Sequence, residues 1–287
     1  MYNILLILAV LPVVLLCFFI YIKDVNKEPL GLLAKIFFLG FIMAFPVVIA
    51  EMIFDFVFIK DGVTNFILLF ISVFMSVALI EEGAKFVVSK FIGYDDKEFD
   101  EIYDIIVYSV FASLGFACIE NILYVFRFGA GVAVSRALLS VPGHMCFGVL
   151  MGYFLAMAKI NSINNNKGLY VKNMIFALLV PTLVHTMYDT LLFYSENVNN
   201  GLYLILFFIF DINMVAVCFF TVSMVSRMQV VIKAKPNIIQ MNNISSTTEK
   251  ESSPNNNQTI QKTMYCPICG KYAGDDSYCG RCGYKLK

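Results

Sequence analysis

Few side chains in this sequence can do chemistry, and most of those sit where apolar residues surround them. Glu81-Glu82-Gly-Ala-Lys85 lies inside a hydrophobic run. Lys85 is four residues from Glu81 and three from Glu82, so one helix face lets it pair with either carboxylate. One lysine cannot neutralise both acids. The surplus carboxylate suits a proton acceptor or a metal ligand. Farther along, Phe116-Ala-Cys-Ile-Glu120-Asn121 puts an acid and an amide into another apolar stretch. The only two histidines, His144 and His185, also fall in apolar runs. His185 and Asp189 stand at i and i+4, so both can face one water or one metal ion. Ionisable groups in such surroundings are costly and are functional candidates by default.

Elements that carry these groups must cross a bilayer. The chain has 287 residues, 59% hydrophobic and 15% charged, with a mean hydropathy of +0.77. Globular chains carry about 25% charged residues, so a soluble domain is excluded. The zero net charge argues against a nucleic-acid partner. It hides an asymmetry: residues 1–226 carry net −5 and residues 227–287 net +5. Seven runs reach the roughly 20 residues a spanning helix needs, near 3–22, 31–53, 66–91, 104–127, 135–158, 173–194 and 202–226. The expected fold is an all-α polytopic membrane protein with about seven transmembrane helices. The first run lacks a basic n-region and a cleavage site, so it reads as a retained helix rather than a signal peptide. The third is long enough to require tilt or an interfacial portion.

Ten basic residues on one set of loops and tail face three on the other (Lys60, Arg127 and Arg136). The positive-inside rule then puts the N-terminus outside and the C-terminus in the cytoplasm. Helical rise of 1.5 Å per residue places Glu120 and Asp189 roughly 24 Å from the cytoplasmic ends of their helices. His144 and His185 come out at roughly 18–21 Å and Glu82 at roughly 12 Å if its helix ends near Lys90. Glu82 is the outlier, and a tilted or broken third helix is needed to bring it level. Asp211 and Asn213, midway along the last run, read as outer support for the polar cluster or as a helix–helix hydrogen bond.

The chain divides into a membrane domain over 1–226, a linker over 227–264 that is rich in Asn, Ser, Thr and Gln, and a tail over 265–287. Such a linker cannot bury enough apolar surface to fold. Four cysteines sit singly in apolar spans, where they act as small hydrophobes. The other four form Cys266-Pro-Ile-Cys269-Gly and Cys279-Gly-Arg-Cys282-Gly, with nine residues between the pairs. Two such knuckles make a four-cysteine structural zinc ribbon. A cytoplasmic location disfavours disulfides. All four ligand positions are protein thiolates, so the ribbon is structural or docks a cytoplasmic partner.

Acids and histidines on neighbouring helices, without a cofactor motif, suggest water activated for attack on a carbonyl. In a bilayer the natural substrate is a peptide bond of another membrane protein. No His-Glu-x-x-His is present, no Gly-x-Ser-Gly, and no Gly-x-Gly-Asp to partner Tyr188-Asp189. The competing readings are a proton-coupled transporter, which requires polar residues spread along a pathway, and a non-catalytic sensor or immunity protein.

Glu81-Glu82-x-x-Lys85, Phe116-x-x-x-Glu120-Asn121, His144 and His185-x-x-x-Asp189, in that order on four successive helices, resemble the PrsW family of bacterial intramembrane proteases. The stretch from Gly115 to Tyr124 is similar to that family's most recognisable segment, and the resemblance covers roughly residues 20–195. The wider CAAX prenyl protease and bacteriocin-immunity group shares the motif plan. Departures from that group are Lys85 for an arginine one place later, Glu120 for a histidine and Asp189 for an asparagine. They argue against a prenyl-protein substrate. The resemblance implies site-1 cleavage of a single-pass anti-sigma factor on its extracytoplasmic side, in the bacterial cell membrane. It implies Glu81 or Glu82 as general base or ligand. His144 and His185 become metal ligands or oxyanion donors, with Glu120 and Asp189 completing the cluster. A divalent active-site metal, zinc by preference, and a metal-free glutamate mechanism both remain open. The zinc ribbon lies outside the shared region.

Overall fold

The computed structural model describes residues 2–58 and 60–228. The linker beyond that point and the expected zinc ligands Cys266, Cys269, Cys279 and Cys282 lie outside the described residues. Apart from turns, bends and an isolated bridge residue at Glu101, the described secondary structure is helical: α1 (Tyr2–Lys23), α2 (Leu30–Asp55), α3 (Phe66–Val73), α4 (Leu79–Val88), α5 (Ile102–Phe128), α6 (Ala130–Leu138), α7 (Ser140–Ile163), α8 (Lys167–Asn197) and α9 (Gly201–Met228). Helix is what a lipid-facing backbone requires, because no water is there to take its N–H and C=O groups. Seven continuous or near-continuous helical stretches are long and apolar enough to span a membrane, as expected.

The third and fifth spans differ from the sequence reading in regularity as well as in bounds, and the sixth starts early, at Lys167. The third is not one regular helix. A π-helical segment at Phe74–Ala78 separates α3 from α4, and a second at Ser89–Tyr94 extends the span past Lys90. With the helix ending at Tyr94, Glu82 is about 18 Å from that end by helical rise, while the longer α5, α7 and α8 put Glu120, His144 and His185 roughly 27–28 Å from theirs. Glu82 therefore remains the outlier, and a broken third helix brings it level, as expected. Inserted π turns also change which face a helix presents, and they are frequent at functional sites. The fifth span starts at Ala130 rather than 135 and is interrupted at Leu139, whose φ of −120° and ψ of −68° leave the helical region. Pro142 then falls in the first turn of α7, where a missing N–H is tolerated.

α5 is the axle of the fold. Every residue from Ile102 to Ile119 is buried except half-buried Phe111. It packs most extensively against α7 and α2. Small residues make that approach close enough. A Cβ on Gly115 would stand 2.1 Å from the Phe37 carbonyl oxygen, and one on Gly152 2.6 Å from Ile106 Cα. Gly148 and Gly152 on α7 form the small-xxx-small spacing that lets membrane helices meet backbone to backbone. By contrast, α1, α2 and α9 leave Phe18, Phe38, Ile49, Ile212 and Phe220 exposed, as lipid-facing helices should. Cys118, Cys146 and Cys218 are buried free thiols, in keeping with their reading as small hydrophobes.

Candidate active site

α4 supplies the first part of the site. Its acidic first turn and single lysine put Glu81, Glu82 and Lys85 on one buried face. The Lys85 ammonium donates to Glu82 Oε1 at 2.7 Å and Glu81 Oε2 at 3.0 Å. Its third partner is His144 Nδ1 on α7, at 3.0 Å. The same ammonium sits 4.5 Å from the centre of the Phe116 ring on α5, a cation–π contact that is strong when desolvated. Three donors and an aromatic face account for a lysine whose side chain is fully buried.

The histidines join α4 to α5 and α8. An ammonium can only donate, so His144 Nδ1 accepts from Lys85. Its Nε2 then carries the proton and donates to Glu120 Oε2 at 2.8 Å. Glu120 also lies 3.0 Å from Arg136 Nη2 on α6. His185 places Nδ1 3.0 Å from Glu82 Oε1 and Nε2 3.3 Å from Asp189 Oδ2. Both of its nitrogens face carboxylates, an arrangement two N–H groups satisfy. The Phe147 ring stacks on His185 at 4.6 Å and holds its plane.

All seven residues singled out in the sequence therefore meet: Glu81, Glu82, Lys85, Glu120, His144, His185 and Asp189. They come from α4, α5, α7 and α8. Burial within the cluster is graded. The side chains of Glu82 and Lys85 have no exposure and that of Glu81 has 7%, whereas Asp189 keeps 16% and Glu120 20%. The mouth is at Glu120 and Asp189.

Two participants escaped the sequence reading. Arg136, counted there as a loop charge, pairs with Glu120. It also donates through Nε to Asn121 Oδ1, while Asn121 donates to the Ala9 carbonyl on α1. Glu51, near the end of α2, lies within electrostatic reach of Glu81, Glu120 and His185, and its Oε1 is buried without a hydrogen-bond partner. A lone acid in an apolar run was the available signal. Asp211 and Asn213 do not form the expected helix–helix bond. Asn213 donates to Ile209 of its own helix, and Asp211 Oδ1 is buried without a partner.

The family model described as "PrsW family intramembrane metalloprotease" matches residues 28–217. The chain belongs to that family. Among similar curated proteins, the "Protease PrsW" of Oceanobacillus iheyensis is 38% identical over 184 residues, covering 64% of this chain and 80% of the relative. That of Geobacillus kaustophilus is 38% identical, covering 66% and 79%. That of Bacillus subtilis is 35% identical, covering 64% and 80%. No solved structure gives a significant match. This PrsW-family chain is thus a multi-pass intramembrane protease, and the transporter reading falls away.

The family's description implies a metal, and the donor set can be tested against one. Glu81, Glu120 and His144 offer ligand atoms within 4.8 Å of one another, and so do Glu81, Glu82 and His185. Mixed carboxylate and imidazole donors suit zinc. Buried Glu82 Oε2, without a hydrogen-bond partner, is a spare ligand atom. The residues fit. Lys85 already holds Glu81, Glu82 and His144, so any bound cation shares these donors with it.

Proposed function

We propose that this protein makes the first cut in a membrane-spanning anti-sigma factor, on the extracytoplasmic side, and so starts release of a sigma factor. The observation that supports the reading is the cluster itself: seven polar residues from four helices, enclosed by apolar surface and open at Glu120 and Asp189. Such a site suits a substrate that arrives through the bilayer, as a single-pass protein does. The loop charges put the N-terminus outside and the C-terminus in the cytoplasm. The mouth then faces the outer leaflet, and the four-cysteine zinc ribbon becomes a cytoplasmic docking module.

Glu81 is the general base. Of the two α4 carboxylates it alone keeps any exposure, and Lys85 engages one of its oxygens, leaving the other for a water proton. Glu82 positions its neighbours, bonded at once to Lys85 and His185. Glu120 and Asp189 accept from the two imidazoles and so orient them, and an imidazole N–H serves a developing oxyanion only when substrate displaces one of these carboxylates. Zinc would be held by Glu81 with His144 and Glu120 or with Glu82 and His185; it would polarise the scissile carbonyl and acidify the attacking water, and Glu81 would then serve as ligand in place of base. Burial of this polar set excludes bulk water, which strengthens each of these interactions.

Co-expression with a tagged single-pass anti-sigma factor, followed by immunoblot, tests the reading. A shortened fragment is expected with the wild type and none with Glu82→Ala or His185→Ala. Wild-type cleavage by both variants overturns it.

A further inference from the structure

A second buried acidic cluster lies at the other end of α5, about 24 Å from Glu120 by helical rise. Asp24 and Glu28 come from the connection between α1 and α2, and Asp104 from the first turn of α5. They are 2%, 6% and 0% exposed, and each offers an oxygen within 4.8 Å of the others. The protease reading uses none of them.

Their other bonds fix them in place without neutralising them. The backbone N–H groups of Asp100 and Glu101 donate to Asp104 Oδ2 at 2.9 and 2.7 Å, part of the capping box that starts α5. The Tyr108 hydroxyl donates to Glu28 Oε2. Asn26 in the same connection holds Glu101 Oε1. What remains is an excess of lone pairs: Asp24 Oδ1 and Oδ2 and Asp104 Oδ1 are buried with no hydrogen-bond partner. The Lys27 ammonium, three residues from Asp24, donates to the carbonyl oxygens of Tyr21 and Asp24 instead of a carboxylate. No lysine or arginine is ion-paired to any of the three acids among the described residues.

Three buried carboxylates in one small space, two of them with unsatisfied oxygens, are strongly unfavourable unless a cation or protons join them. The donors are all oxygen, with no imidazole or thiolate, which selects a hard ion over zinc. We propose that Asp24, Glu28 and Asp104 bind a divalent cation of the magnesium–calcium class, which fastens the α1–α2 connection to the start of α5. The ion clamps the helix that carries Glu120 at its opposite end. It is separate from any metal in the protease cluster, whose ligand sets include imidazole.

The test uses full-length protein in detergent micelles, stripped with a chelator and titrated with Mn2+ alone, free Mn2+ being read by electron paramagnetic resonance. The expected result is a saturable site from which Mg2+ or Ca2+ displaces Mn2+. Asp24→Asn weakens it at least tenfold, and Glu81→Gln leaves it unchanged. Asp24 lies outside the helices, so its amide replacement spares the backbone. Tyr108→Phe, which frees Glu28, weakens binding by a smaller factor. In thermal unfolding, Mg2+ or Ca2+ raises the wild-type melting temperature and leaves that of Asp24→Asn unmoved. Absence of Mg2+- or Ca2+-competed Mn2+ binding in the wild type overturns the proposal and leaves acids that share protons. Equal affinity in Asp24→Asn, or an equal rise in its melting temperature, overturns it as well.

Discussion

The two ends of α5 hold buried acids of similar number and opposite electrostatic design. Around Glu120 the carboxylates of Glu81, Glu82 and Asp189 are threaded with Lys85, Arg136 and two histidines, so each of these four acids has a partner, while Glu51 Oε1 nearby has none. Around Asp104 the carboxylates of Asp24 and Glu28 form no ion pair among the described residues, and the nearby Lys27 ammonium bonds to backbone carbonyls instead. Burial there pushes Asp24 up to about 6 and Glu28 up to about 7. The first cluster is built to keep negative charge ready inside a low-dielectric space. The second is built to be completed from outside. The same residue types thus serve two purposes, decided by whether the helices also deliver cations.

The sharpest way to break the comparison is to remove the proton acceptor from the paired cluster. Glu81→Gln keeps size and Lys85 but loses basicity, and cleavage of the membrane substrate should fall by about 10²–10⁴. Quantitative immunoblot with folded protein verified by gel filtration measures it. A loss of less than threefold would move the base to Glu82. Lys85→Met should show the largest stability effect. It strands two buried carboxylates, and breaking a buried pair this way costs about 3–5 kcal/mol. The mirror experiment at the other end has the opposite sign. Asp24→Asn removes an unpaired charge, so in chelator the variant should unfold at higher denaturant than the wild type. If both substitutions destabilise in chelator, the two clusters are not opposites.

How much of this could be read beforehand depends on whether a feature is local. The seven spans were legible because lipid demands about 20 apolar residues in a row, and α2 and α9 end within about two residues of the expected bounds. α8 starts at Lys167 rather than 173 because its first turns are polar, capped by Asn166 accepting from Leu169 N–H. The π segments flanking α4 left no trace in hydropathy, although the shallow depth of Glu82 already called for a tilted or broken third helix. Within the site, Glu81, Glu82, Lys85, His185 and Asp189 were legible from spacing along single helices. Arg136 was not. Its sequence position says loop, and only the break at Leu139 folds α6 back so that the guanidinium reaches Glu120. The cluster of Asp24, Glu28 and Asp104 was invisible for a related reason. Asp104 is some eighty residues from Asp24 and Glu28, and all three lie at or beyond the ends of the apolar runs, so packing alone unites them.

Arg136 also gives the gentlest test of what the cationic threads contribute. Its guanidinium touches Glu120 and Asn121 and lies 4.2 Å from the Tyr124 ring centre, yet its side chain keeps 12% exposure. Losing it removes an orienting partner of Glu120 rather than a group at the reaction centre. Outer partners of this kind are worth about 10–100-fold. Arg136→Gln should therefore reduce cleavage about tenfold, because His144 still holds Glu120 from the other side. Stability should fall by about 1–3 kcal/mol, since the pair is largely buried and its loss leaves Glu120 one partner short. Arg136→Lys retains the charge and loses the planar fork that reaches Glu120 and Asn121 together. It should recover part of the activity if charge near Glu120 is what matters. If it recovers none, the geometry of the fork sets the orientation of Glu120, and the paired cluster depends on placement as much as on charge.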